Sequence, residues 1–376
     1  MPKLKGLLIR LYAFLGSNFN LLVGIKNLLL SKNRLLLKYH LYSMRFVDGS
    51  FLKMAIVALY PEESKLYTES LENLLVGLVE NNVHPILVIN NQIINAELQK
   101  FIDLYDCSYI LRKNFGRDFG AYQCGVLALI RNKSLKKLDR LYLINDTLIW
   151  RESPSRIIQE TSREKFQSIW LNLERNVHAH SFFLSFSNEV ITHSNFLRFW
   201  NRYIPSNSRN HAIHKGENQL TNVLLRSKFT CKPLVTPKFI EEALIEYLDS
   251  NASAFDFAKT IRLGLLWPAN PPLADVSRAL EANSIIGFDE KNWVRLISGY
   301  SYSDAPHRLA LILELSRYLP LKRDLFKFYG LQEIEEVLNL SEHPFKESLL
   351  DYYLQRSQNH QASNLHTRLL RLLGEI

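Results

Sequence analysis

Cysteine is scarce in this chain. The three present, Cys107, Cys124 and Cys231, are odd in number and form no C-x-x-C. That argues against a disulfide framework and a thiolate zinc site, and it fits a reducing compartment. The chain also lacks a G-x-G-x-x-G or a G-K-[ST], so neither a dinucleotide fingerprint nor a P-loop is supported. Long apolar runs are missing near the N-terminus. The longest uncharged stretch there, Leu11 to Ile25, has fifteen residues and contains Gly16, Ser17, Asn18 and Asn20. A spanning helix needs about 20 predominantly apolar residues. No small-residue cleavage site follows, which speaks against a secretory signal. There is no internal repeat and no low-complexity tract.

What is present is a globular composition, 47% hydrophobic and 22% charged over 376 residues, enough for one large domain or two ordinary ones. The net charge of +9 is concentrated in one place. Residues 1–53 hold nine Lys/Arg and a single acid, Asp48, while the rest is nearly balanced. A nucleic-acid binder carries basic surface on its folded domain as well, so no nucleic-acid partner is expected. The basic residues of 1–50 alternate with Leu, Phe and Tyr, a pattern for amphipathic helices lying on an anionic membrane surface. The alternative is a helical hairpin packed on the main domain with its cations in water. The first reading puts the protein in the cytoplasm, peripheral on the inner face of the cell membrane.

From residue 54 onward strands alternate with helices. Met54–Tyr60, Pro85–Asn90, Tyr109–Leu111 and Arg140–Asn145 read as buried strands, separated by helical spacing over 62–81, 94–104 and 119–131. This predicts an α/β fold with a mostly parallel sheet covered on both faces. Further strands are expected at 167–173 and 181–187, and helices at 189–203 and 217–228. From about 256 to 376 the chain reads as mainly helical, broken by Pro268, Pro271 and Pro272. The expected organisation is a basic segment at 1–50, an α/β domain at 51–255 and a helical region at 256–376.

In open α/β sheets ligands bind beyond the carboxyl ends of the strands. Polar clusters fall at three such ends: Asn90-Asn91, Asn114 to Gly120, and Asn145-Asp146-Thr147. Gly116 and Gly120 allow close backbone approach, and Arg117 suits a diphosphate. Asp146 is a candidate to hold Mg²⁺ or Mn²⁺ bridging a diphosphate. The plain structural alternatives are a tight turn with Asp118 as helix N-cap and an Asx-turn at Asn145 or Asp146. His211 and His214 make H-A-I-H, but no third ligand stands at a convincing spacing.

Taken together, N-F-G-R-D-F-G-A-Y-Q-C-G at 114–125 and N-D-T at 145–147 resemble the rhamnan synthesis protein F family of bacterial surface polysaccharide synthesis. His178-Ala-His-Ser-Phe-Phe183 is similar to that family's H-x-Q-S-x-F strand, with His180 where Gln is usual. Gly216-Glu217, followed by Leu220, and Asn270-Pro271 resemble its later elements. The likeness spans roughly 54–295. It implies a GT-A-like, Rossmann-type glycosyltransferase that uses a nucleoside-diphosphate sugar, with rhamnose the emblematic sugar, and a glycan or lipid-linked glycan acceptor. Asn114, Gly116, Arg117, Asp118 and Gly120 would line the donor pocket. Tyr60 and Asn90 would face base and ribose, and Asp146 would stand where a D-x-D carboxylate binds the divalent cation. The acceptor hydroxyl needs a base. Glu217 is the first choice and His178 the second. A departure stands beside this: N-D-T has Asn and Thr where acids are expected, so an inactive scaffold in a polysaccharide assembly complex is the alternative.

Overall fold

The computed structural model describes residues 41–172, 177–236, 239 and 319–323. Twelve strands are present there: β1 (Leu41–Arg45), β2 (Lys53–Leu59), β3 (Val83–Ile89), β4 (Ser108–Arg112), β5 (Arg140–Asn145), β6 (Leu148–Ile149), β7 (Phe166–Ser168), β8 (Leu171–Asn172), β9 (His178–Ala179), β10 (Phe183–Ser187), β11 (Cys231–Pro233) and β12 (Leu321–Lys322). Eight form one mixed sheet in the order β1-β4-β3-β2-β5-β10-β7-β11. The central ladders β4–β3, β3–β2 and β2–β5 are parallel, and so is β11–β7. The ladders β1–β4, β10–β5 and β10–β7 are antiparallel.

The apolar run of β2 explains why it lies in the centre. Ala55, Val57 and Leu59 enter one core with Leu74, Leu75 and Leu78 of helix α1 (Lys65–Glu80) and with Phe101 of helix α2 (Ala96–Leu104). Met54, Ile56 and Ala58 enter the opposite core with Tyr122 and Val126 of helix α3 (Arg117–Arg131). Alternate residues serve opposite faces, so a strand buried on both sides must be apolar throughout. Fully burying each of Met54, Ile56, Val57 and Leu59 is worth about 1.5–3 kcal/mol, and each alanine less. Helix α1 starts where the Ser64 side chain accepts the Tyr67 N–H at 3.2 Å, and α2 where Asn95 accepts from Leu98 at 2.9 Å, both N-caps of the usual kind.

Several expectations shift. Leu41–Arg45, read as part of the helical N-terminal segment, forms the antiparallel edge strand β1. The expected helices over 1–40 lie outside the described residues, as does nearly all of the helical region 256–376. Two residues of that region pair as β12 with β6. The strand expected at 167–173 is split into β7 and β8. The segment 189–203 is two helices, Asn188–Thr192 and α4 (Ser194–Arg202). The helix expected at 217–228 begins as a π-helical stretch, Ala212–Asn218, before the regular helix α5 (Gln219–Arg226). Among the described residues, no helix is long and apolar enough to cross a membrane. All three cysteines are buried and free, and burial pushes the Cys124 thiol up to about 11.

The glycine cluster has a packing cause. A Cβ on Gly120 would meet the Phe115 carbonyl oxygen at 2.4 Å, and backbone cannot give way as a flexible side chain does. Gly120→Ala is expected to destabilise the protein by about 1–3 kcal/mol, read as a lower urea midpoint with an unchanged m-value.

Candidate active site

After β4 the chain crosses back over β2 to lay β5 on its other edge. The gap between the carboxyl ends of β2 and β5 is therefore the topological switch point of the sheet, where open α/β sheets form their crevice. Strand β10 runs antiparallel to β5, with Phe183 opposite Ile144, so the residues just before β10 reach the same end. A cavity of about 630 Å³ opens there. Its walls include Tyr60 after β2, Asn114, Arg117 and Asp118 after β4, and Asn145 and Thr147 at the end of β5. His178, His180 and Ser181 come from the approach to β10, Glu217 from the π-helical stretch, and Lys322 from β12.

The turn into α3 aims Arg117. Gly116 caps the helix in the left-handed region, φ 83°, where a Cβ would also meet the Pro205 side chain at 2.4 Å. Arg117 follows with φ 52°, a conformation that costs a non-glycine residue of order 1–3 kcal/mol and clusters at functional sites. Asn207 holds both residues: its Oδ1 accepts the Gly116 N–H at 2.7 Å and its carbonyl accepts Arg117 Nη1 at 3.3 Å. The helix thus begins at Arg117, and Asp118 is not its N-cap. Instead Asp118 accepts a 2.6 Å hydrogen bond from Asn145 Nδ2. Burial raises the Asp118 carboxyl, with Arg117 and Asn145 pulling the other way.

On the opposite wall His178 Nε2 lies 3.5 Å from Glu217 Oε2, and Ser181 N–H donates to Glu217 Oε1 at 2.8 Å. Burial alone would raise this carboxyl. The His178 hydrogen bond and the charges of both imidazoles outweigh it and hold Glu217 down to about 2. Glu217 is therefore an ionised acceptor that orients His178. It reaches the wall because the π-helical stretch packs tightly on α3: a Cβ on Gly216 would strike the Phe119 ring at 2.6 Å.

Four predicted site residues do not line the cavity: Asn90, Asp146, Gly116 and Gly120. Asn90 knots the strand ends. Its Nδ2 donates to the Leu59 carbonyl at 3.0 Å and its Oδ1 accepts Arg112 Nη1 at 2.8 Å, so its polar atoms serve backbone and core. Asp146 turns away from the cavity. Its Oδ2 accepts the Tyr60 N–H at 2.6 Å. Arg323 Nη2 stands 3.8 Å from its Oδ1 and donates to its carbonyl oxygen, while Nη1 meets Glu62 at 3.0 Å. Burial raises the Asp146 carboxyl to about 7, against the pull of Arg323 and the Tyr60 N–H. A carboxylate engaged by a peptide N–H and facing a guanidinium does not fit a divalent-cation site. Gly116 and Gly120 shape the turn rather than line the cavity. Lys322 and Arg209, which do line it, had no motif around them in the sequence. Lys322 arrives only through the β12–β6 pairing, across more than 170 residues.

Arg323 and Asp146 are both nearly buried, and removing one partner of a buried pair leaves a costly charge. Arg323→Ala should lose about 1–3 kcal/mol of stability, because the Asp146 carboxyl can take up a proton in place of its partner. Asp146→Asn in the same chain should recover part of that loss, which a double-mutant cycle by chemical denaturation will read.

Residues 86–256 match the family model described as rhamnan synthesis protein F. Two curated relatives, both named virulence protein VirA and both from Vibrio anguillarum (one from strain ATCC 68554 / 775), are 30% identical over 101 residues. That stretch is 26% of this chain and 30% of each relative, so the chain matches under a third of their length. Among solved structures, the mannosyltransferase PcManGT from Pyrobaculum calidifontis, in complex with GDP-Man and Mn²⁺, aligns over 79% of this chain and 96% of its own at 10% identity and a TM-score of 0.30. So loose a likeness carries no argument. The family model covers α2, β4, the Arg117 turn, β5, the His178 segment and Glu217: residues 86–256 of this chain are similar to rhamnan synthesis protein F.

Proposed function

We propose that the protein is a glycosyltransferase that moves a sugar from a nucleoside-diphosphate sugar to a glycan or lipid-linked glycan in surface polysaccharide synthesis. The observation that carries this reading is the cavity at the switch point, where three cations face a buried His–Glu pair. Its volume suits a nucleotide sugar. Tyr60 offers a ring for the base and Asn114 a polar rim. Arg117 and Lys322 meet the diphosphate. In the transfer, the acceptor oxygen bonds to the anomeric carbon and the bond from that carbon to the diphosphate oxygen breaks. The electron pair leaves with the diphosphate, whose growing charge the two cations neutralise. The hydroxyl proton passes to His178, which Glu217 orients and whose positive charge Glu217 stabilises. The basic segment 1–50 is the part assigned to the membrane surface.

The second reading, an inactive scaffold of the same fold, is favoured by one observation: the Asp146 carboxylate is committed to Tyr60 and Arg323. Titration calorimetry of the full chain with thymidine, uridine, guanosine and cytidine diphosphates separates the two. Binding of one base, weakened about 10- to 100-fold by Arg117→Ala in line with a lost charge-assisted contact, is the expected result. No binding of any of the four by a folded chain would leave only the scaffold. With the donor identified, Glu217→Gln should lower the transfer rate by at least about 100-fold while donor affinity stays within a few-fold.

A further inference from the structure

The His178–Glu217 pair has a third member. His180, two residues on from His178, stands beside it with the ring centroids 5.7 Å apart. One ligand atom from each of His178, His180 and Glu217 lies within 4.8 Å of the other two, and all three residues are buried. Residues i and i+2 of an extended segment share a face, so the β8–β9 hairpin presents both imidazoles in one direction. His178 is opposite Asn172 in that hairpin, and the His180 N–H is tied to the Trp170 carbonyl at 3.2 Å. Glu217 comes from the π-helical stretch, a kind of turn frequent at functional sites.

We propose that His178, His180 and Glu217 bind a divalent transition-metal ion of the zinc class, with its remaining coordination positions open to the cavity. The separations suit such an ion. Ligands about 2.1 Å from a tetrahedral centre stand about 3.4 Å from one another, and His178 Nε2 is 3.5 Å from Glu217 Oε2. The His180 ligand atom lies within 4.8 Å of both. A supporting shell is already built. Ser181 N–H holds the other Glu217 oxygen at 2.8 Å, and His180 stacks on Phe182 at 5.2 Å with 19° between the planes. Such partners fix ligand orientation. Two imidazoles and one carboxylate suit Zn²⁺, Co²⁺ or Mn²⁺, whereas Mg²⁺ and Ca²⁺ seek oxygen sets. Three protein ligands facing a cavity make an open site of catalytic type rather than a closed structural one. The competing pair, His211 and His214, is dispersed: His211 bonds the Ile204 carbonyl at 2.8 Å and His214 is exposed.

The binding of the ion is independent of the glycosyl-transfer reading, but the two uses of His178 exclude each other: an imidazole that ligates the ion does not take the acceptor proton, so transfer through His178 belongs to the ion-free form. The test is titration calorimetry of the chelator-stripped full chain with Zn²⁺, Co²⁺ and Mg²⁺, alongside the visible spectrum of the Co²⁺ form. One Zn²⁺ or Co²⁺ per chain, no Mg²⁺, and ligand-field bands of a four- or five-coordinate Co²⁺ centre are expected. His180→Gln and Glu217→Gln should each weaken the ion by at least about tenfold, while His214→Ala changes nothing. Circular dichroism and melting of each variant establish that it is folded, and Gln at 217 keeps an acceptor for Ser181. No stoichiometric binding, preferential Mg²⁺ binding, or Zn²⁺ binding that both Gln variants retain would overturn the site. Ion binding without any nucleotide binding would sink the transferase reading and leave the metal site standing. Nucleotide binding without the ion would do the reverse.

Discussion

The parallel ladder between β2 and β5 runs from Lys53 opposite Arg140 to Ala58 opposite Asn145, and beyond it the backbone has no regular partner. Buried peptide groups cannot be left unpaired without cost. Side chains and neighbouring loops take over: Tyr60 N–H goes to Asp146, Asp146 N–H to the Ala58 carbonyl, Asn145 N–H to the Phe182 carbonyl, and Asn90 to Leu59. Closing the ladder this way draws the β4 exit, the β5 exit and the approach to β10 to one point. The cavity is what remains between them.

That closure also decides which polar residues are available for chemistry. Asp146 and Asn90 lie at the strand tips, nearest the unpaired backbone, and are consumed by it. Arg117, Asp118, His178 and Glu217 sit one step further out and face the open space. Their charges are balanced locally, Asp118 by Asn145 and Arg117, and Glu217 by Ser181 and two imidazoles. In a partly desolvated pocket such pairing keeps charged groups tolerable and their orientation fixed. A bound anion would meet Arg117 already aimed by Asn207.

Much of the domain is legible in the sequence. Arg140–Asn145 is a strand over the residues expected, and the other central strands shift by one or two positions, because short continuous apolar runs alternating with helical spacing are the pattern of strands buried on both faces. The glycine cluster was legible as a special turn. What was not legible is which residue of that turn does what. Asp118 looked like a cap because caps are local, yet its partner is Asn145, 27 residues away. Asp146 looked like a metal ligand because the motif is local, yet Arg323 claims it from 177 residues away.

The sequence by itself determined the α/β class, the strand order along the chain and the clustering of polar residues at strand ends. These follow from side-chain periodicity and turn chemistry, which act over a few residues. Only the tertiary structure decided that His178, His180 and Glu217 meet, that Lys322 joins the cavity, and that Asp146 and Asn90 are withdrawn from it. Those outcomes depend on β10 running antiparallel beside β5, on β12 pairing with β6, and on Gly216 letting a π-helical turn press against Phe119. Each is a packing decision between segments far apart in the chain, and such a decision leaves no local periodicity behind.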